Sequence, residues 1–240
     1  MKSRLIFFLL LLLAGCAYGS EAVELHPNLP AHVVFRPTFL TRDYSFTSGT
    51  GFLVEGKSTS SSFLVTVHHI FGPVGGLEEQ FSGDLIPAVF LRAVGFSFDQ
   101  KPLLLTTDEG VPVHDARKAD TKGSERDIAL FRVRGWSANK SLELVSKPPA
   151  VAEKVWLVLR DTARNNLRFA EATVAYESST EIRYLLTNAD LNYSGASGAP
   201  VVNAAGEVVG MHIGLFTSKS GRTFGFACPA AAIREVLPND

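Results

Sequence analysis

Gly195-Ala196-Ser197-Gly198-Ala199-Pro200 is followed by Val201-Val202, a polar stretch over 203–207, and Val208-Val209-Gly210. Two β-branched runs on either side of an Asn- and Gly-containing turn read as a hairpin. The serine therefore stands where the chain enters a rigid sheet, between residues too small to cover it. Gly and Ser also dominate turns for backbone reasons alone, so the stretch by itself is equally a turn or a presented nucleophile. Two upstream segments bear on that choice. Leu64-Val65-Thr66-Val67-His68-His69 ends an apolar, β-branched run on histidine, and Asp127-Ile128-Ala129-Leu130 opens another such run on a carboxylate. A serine hydroxyl is a poor nucleophile near neutrality. It needs a neutral imidazole to take its proton, and the imidazole needs a group to hold its tautomer.

Each of the three has a plainer reading. A histidine at a strand end is commonly a packed or capped residue, and His68 competes with His69. Asp127 follows a stretch from Asp115 rich in both signs of charge, which reads as a solvated loop. The order His, Asp, Ser is that of the chymotrypsin type of triad and differs from the orders of other hydrolase folds. Segment 64–70 resembles the L-V-T-A-A-H-V of trypsin-like peptidases, whose histidine stands three residues after the threonine; that register selects His69. Asp127-Ile-Ala-Leu matches the D-I-A-L of the same family. Gly49-Thr50-Gly51-Phe52-Leu53-Val54 is similar to its G-T-G-F-x-V strand. Phe224-Gly225-Phe226-Ala227-Cys228-Pro229 resembles the G-F-A-I-P segment of HtrA-type catalytic domains.

The chain is thus identified as similar to trypsin-like serine peptidases of the chymotrypsin fold, over about Gly49 to Glu235. It departs from the usual G-N-S-G-G-P at Ala196 and Ala199, which brings it closer to the glutamyl endopeptidases of the V8 type. The resemblance implies an all-β fold of two six-stranded antiparallel barrels facing each other across the active site. His69, Asp127 and Ser197 would form the triad, and the N–H groups of Gly195 and Ser197 the oxyanion hole. Gly195 is expected because a Cβ there would obstruct the turned N–H. The implied reaction is peptide-bond hydrolysis, which calls for no cofactor and no metal. An esterase with the same triad, and a binding protein with the peptidase fold and an unused triad, stay open as alternatives.

Segment 209–214 corresponds in the family to a strand beside the S1 pocket, so His212, Ile213 and Gly214 are expected to bind substrate. His212 stands where V8-type peptidases and viral 3C proteases place a histidine that binds Glu or Gln at P1; a core histidine is the other reading. Leu191 replaces trypsin's aspartate, with Asp190 next to it, and Asn192 falls at a polar V8-type position, so Lys or Arg at P1 is disfavoured. A protonated His212 would hold a P1 glutamate best, with binding weakening as the ring loses its proton.

Composition agrees. With 240 residues, 46% hydrophobic and 20% charged, the chain can bury a sizeable core, and a net charge of −1 offers no footprint for nucleic acid. Strand candidates in the second half are 155–159, 171–176 and 182–186, the first apolar throughout and so buried on both faces. The peptidase domain is expected over 21–240, with its halves at about 30–146 and 150–240, a crossover near Ser146-Lys147-Pro148-Pro149, and a short helix over 230–237. No PDZ domain of the kind usual in HtrA proteins is expected after that helix. Residues 1–20 read as an export signal: Lys2 and Arg4 precede the apolar block Leu5 to Leu13, too short to span a bilayer. Leu13-Ala14-Gly15-Cys16 resembles a lipobox, which would acylate Cys16 and anchor the protein in the outer membrane, facing the periplasm; cleavage after Gly19 without an anchor is the alternative. Cys16 and Cys228 are the only cysteines, so Cys228 is read as a small buried hydrophobe beside the S1 wall. Phe52, Phe131 and Trp156 are read as core.

Overall fold

The computed structural model describes residues 26–57, 61–136, 141–161, 163, 166–188 and 190–239. Residues 1–20, read above as an export signal, and with them Cys16, lie outside the described residues. The apolar alternation of the first half folds into eight strands: β1 (Val34–Leu40), β2 (Ser45–Thr47), β3 (Gly51–Glu55), β4 (Ser62–Thr66), β5 (Arg92–Ser97), β6 (Leu104–Thr106), β7 (Glu109–Val111) and β8 (Ala129–Val133). They form one antiparallel sheet in the order β6-β5-β1-β3-β4-β8-β7, with β2 paired on β1. Where six strands in a barrel were expected, the sheet has eight, seven of them on a path of hydrogen bonds that stays open between β6 and β7. Phe39, Phe71, Phe90 and Phe131 fill its interior, with ring centroids of Phe39 and Phe71 4.7 Å apart and of Phe71 and Phe90 4.9 Å apart. Burying each such ring contributes roughly 2–3 kcal/mol. Among the described residues the only cysteine is Cys228, unpaired and buried, so packing rather than cross-linking holds the fold.

The second half closes into a six-stranded barrel, β10-β11-β14-β13-β12-β9, from β9 (Lys154–Asp161), β10 (Asn166–Glu177), β11 (Ile182–Leu186), β12 (Pro200–Val202), β13 (Val208–Thr217) and β14 (Thr223–Pro229). Val155 to Leu159 are buried on both faces, as their unbroken apolar run requires. β12 and β13 make the hairpin read after Ser197, and Asn203 closes its turn by accepting from the N–H groups of Ala205 and Glu207. A one-turn helix, α1 (Ile86–Val89), interrupts the first half, and α2 (Ala230–Val236) follows Pro229.

The connector stitches the halves before β9 begins. Leu142 bridges in parallel to Val54 of the first sheet, and Leu144 bridges to Val208 of the barrel. Arg234 of α2 donates to the carbonyls of Leu144 and Val145. The loop carrying Ser197 also meets the first sheet directly, since the Thr50 N–H donates to the Ser197 carbonyl at 2.8 Å.

Candidate active site

His69 lies in a single 3₁₀ turn, His68–Ile70, just past β4. Asp127 precedes β8, the neighbour of β4, so strand pairing brings the two together; Thr66 faces Ala129 across that pair. The Asp127 side chain is fully buried, not solvated as a charged loop would be. Its Oδ2 accepts from His69 Nδ1 at 2.8 Å and from the Ala119 N–H at 3.0 Å, while its Oδ1 accepts from the His69 backbone N–H at 2.8 Å. A proton on Nδ1 leaves Nε2 as the basic nitrogen of His69. His68 is also buried, but neither of its ring nitrogens has a partner among the described residues, and burial lowers its pKa. Asp127 thus engages the ring of His69 and not that of His68.

Ser197 sits between Gly195 and Gly198, both in the left-handed region at φ 78° and 88°. At Gly198 a Cβ would stand 2.1 Å from the Thr50 carbonyl oxygen and 2.6 Å from Thr66 Oγ1, so only glycine lets the loop dock on the first sheet. At Gly195 the sequence-based reason is corrected: a Cβ there would meet nothing nearer than Arg36 Nη1 at 4.0 Å, and the residue is required by its φ rather than by crowding. Thr50 fixes the loop by donating its hydroxyl to the Gly195 carbonyl at 2.7 Å. The N–H groups of Gly195 and Ser197 have no hydrogen-bond partner among the described residues. Gly49 ties the loop to the histidine turn, because a Cβ on it would lie 2.7 Å from the Ser197 carbonyl oxygen and 3.5 Å from the Ile70 side chain. The Ser197 hydroxyl donates to the Ile213 carbonyl at 3.3 Å, and no hydrogen bond joins it to His69.

β13 passes this loop with one edge free. Gly198 and Ala199 pair with His212, and from Ile213 onward β14 is the only strand paired with β13 among the described residues, with a bulge between His212 and Gly214. An extended peptide can add to that edge. His212 is buried, and its Nδ1 lies 2.5 Å from the Tyr184 hydroxyl. Burial raises the Tyr184 pKa well above its usual value, so the phenol keeps its proton and donates it to Nδ1. Burial, with a smaller contribution from His69, lowers the His212 pKa to about 3. The expectation of a ring that titrates near neutrality is therefore corrected: His212 stays neutral, with its proton on Nε2. Asn192 does not accompany it. Its Oδ1 accepts from the Ser194 N–H at 2.9 Å, and its side chain lines a cavity that contains no residue of β13. Tyr184 had no signal in the sequence, since it reaches His212 from β11 across β14.

Residues 49–211 match the family described as "Trypsin-like peptidase domain". The chain belongs to that family. Its structure is similar to the serine endoprotease of Yersinia pestis, with a TM-score of 0.54 and 14% identity over 87% of this chain and 62% of that one. It is also similar to the MamO protease domain of Magnetospirillum magneticum, with a TM-score of 0.53 and 18% identity over 89% of this chain and 99% of that one. A human pathogenic astrovirus serine protease matches with a TM-score of 0.50 and 16% identity over 85% of this chain and 93% of that one. At these identities the likeness is one of fold. This trypsin-like chain spans less than two thirds of the Yersinia protein's length. No curated protein matches its sequence.

Proposed function

We propose that this trypsin-like chain is a serine endopeptidase in which Ser197 is the nucleophile, His69 the general base and Asp127 the group that orients it. The observation that carries the reading is the double grip of Asp127 on His69, which fixes both the ring and its backbone at 2.8 Å in a fully buried setting. Such a ring offers Nε2 as a base without choosing between tautomers. Attack begins when the Ser197 hydroxyl leaves the Ile213 carbonyl and gives its proton to Nε2 as its oxygen bonds to the substrate carbonyl carbon. The tetrahedral oxyanion is received by the unpartnered N–H groups of Gly195 and Ser197. His69 then returns the proton to the departing amine, and water repeats the sequence to release the acid. Resting catalytic hydrogen bonds are often loose and tighten with substrate, which reconciles the Ile213 contact with this role.

The same contact favours a second reading, a peptidase fold that binds peptides without cutting them. Reaction with a fluorophosphonate separates the two: an activated Ser197 is labelled, and Ser197→Ala is not. For substrate, the neutral His212 supports a preference for Gln or Glu at P1, because its Nε2–H can donate to a side-chain carbonyl or carboxylate. Envelope location through an acylated Cys16 is part of the proposal, and membrane partition of Cys16→Ser tests it.

A further inference from the structure

We infer that the cavity beside Gly195 is a subsite for a carboxylate on the leaving-group side of the substrate, an inference that rests on Ser197 being the nucleophile. The cavity measures about 230 Å³ and is walled by Thr50, Gly195, Asp161 and three arginines, Arg36, Arg160 and Arg168. Peptide residues before the cleaved bond would add to the free edge of β13, which begins at Ile213. A chain that passes Ser197 and leaves that edge would cross the loop of Ser194, Gly195 and Ala196, which lines the cavity. Peptide residues beyond the cleaved bond therefore meet the arginines.

The charge of two of these arginines is not spent within the fold. Arg36 and Arg168 have no carboxylate partner among the described residues. Arg160 lies over the Phe98 ring, 5.6 Å from its centroid, which orients its guanidinium. Asp161 is the single acidic side chain in the lining, so positive charge is in excess. A guanidinium beside the loop that holds a developing oxyanion suits a bidentate carboxylate. The surface beyond also fits a polypeptide rather than a small anion. Arg36, Phe96 and Leu104 stand in register across β1, β5 and β6, and Phe96 and Leu104 are 58% and 52% exposed. An acidic group with apolar residues after it would continue from the cavity onto this row.

The test uses peptides with Gln at P1 and C-terminal amides, carrying Glu or Gln in turn at the three positions after the scissile bond. A second set ends at the second or third of those positions with a free carboxylate or an amide and no acidic side chain. Affinity is measured by titration calorimetry on Ser197→Ala, which does not depend on turnover, and kcat/KM on the wild type. The expected result is about tenfold tighter binding of Glu over Gln at one position, weakening in high salt. Arg36→Gln and Arg168→Gln should bring that ratio to near unity, with Arg36→Lys recovering part of it. Arg134→Gln, outside the lining, should leave it as in the wild type. A gain confined to the free-carboxylate set would assign the site to a chain terminus instead of a side chain. Ratios within about twofold everywhere, or a ratio that survives both arginine variants, overturn the subsite. Lack of fluorophosphonate labelling would overturn the proposed peptidase instead, and the calorimetric ratio would still report on the cavity.

Discussion

Asp127→Asn should remove the basic nitrogen of His69 while leaving the fold standing. Asp127 accepts three hydrogen bonds, two at Oδ2 from His69 Nδ1 and the Ala119 N–H, and one at Oδ1 from the His69 N–H. Asparagine has one acceptor oxygen, so its NH₂ must replace one of the two. If NH₂ takes the Oδ1 place, it confronts the buried His69 N–H, and a buried donor without an acceptor costs about 1–3 kcal/mol. If NH₂ takes the Oδ2 place, the lost bond is that of Ala119, which is only partly buried and can turn to water. The second arrangement is cheaper. It also directs an N–H at His69 Nδ1, which must then be an acceptor, moving the ring proton to Nε2 where it blocks proton abstraction from Ser197. The expected fall in kcat is on the order of 10⁴, with a stability loss of only about 1–2 kcal/mol. Peptide hydrolysis gives the first, urea denaturation the second, and ring ¹⁵N shifts report the tautomer. Activity within tenfold of wild type, or a ring that keeps its proton on Nδ1, would refute the reasoning.

The same geometry sets three further outcomes. Gly198→Ala should cost roughly 2–4 kcal/mol and undock the Ser197 loop, because its Cβ would stand 2.1 Å from the Thr50 carbonyl oxygen at a φ of 88°; thermal melting checks it. Tyr184→Phe should leave His212 Nδ1 without its donor, lower stability by about 1–2 kcal/mol and erode the Gln-over-Ala selectivity at P1 more than it lowers kcat for the Ala peptide. Stability should fall on acidification from about pH 6.5 toward 3: the unfolded chain protonates His212 at its ordinary pKa, whereas the folded ring resists until about 3. The burial of His68 acts in the same direction. Urea midpoints at pH 7 and pH 4 measure this, and equal midpoints would contradict a buried neutral His212.

The halves of the fold were legible to different degrees, and the reason lies in how each strand signals itself. Strand 182–186 was read with its bounds, because its mostly apolar run is flanked by Ser, Thr and Asn; β10 runs from Asn166 to Glu177, longer than read. The extra strands of the first sheet, such as β2 (Ser45–Thr47) and β6 (Leu104–Thr106), span three residues each, below the length at which alternation is readable. His69, Asp127 and Ser197 were singled out because each adjoins a strand end with a distinctive local pattern. Tyr184 and the arginine cavity escaped, since their partners are set by barrel closure and by the docking of two halves. Asn192 was paired with His212 by sequence position, and its Asx turn with Ser194 instead turns it to the cavity.

The central claim, that Ser197 is a nucleophile activated by His69, is tested most directly by fluorophosphonate labelling and peptide mass mapping. The account predicts a single adduct on Ser197 in the wild type, absent from Ser197→Ala and slowed by orders of magnitude in His69→Ala. An unlabelled wild type with intact fold, or labelling of Ser197 that proceeds at full rate without His69, would contradict it.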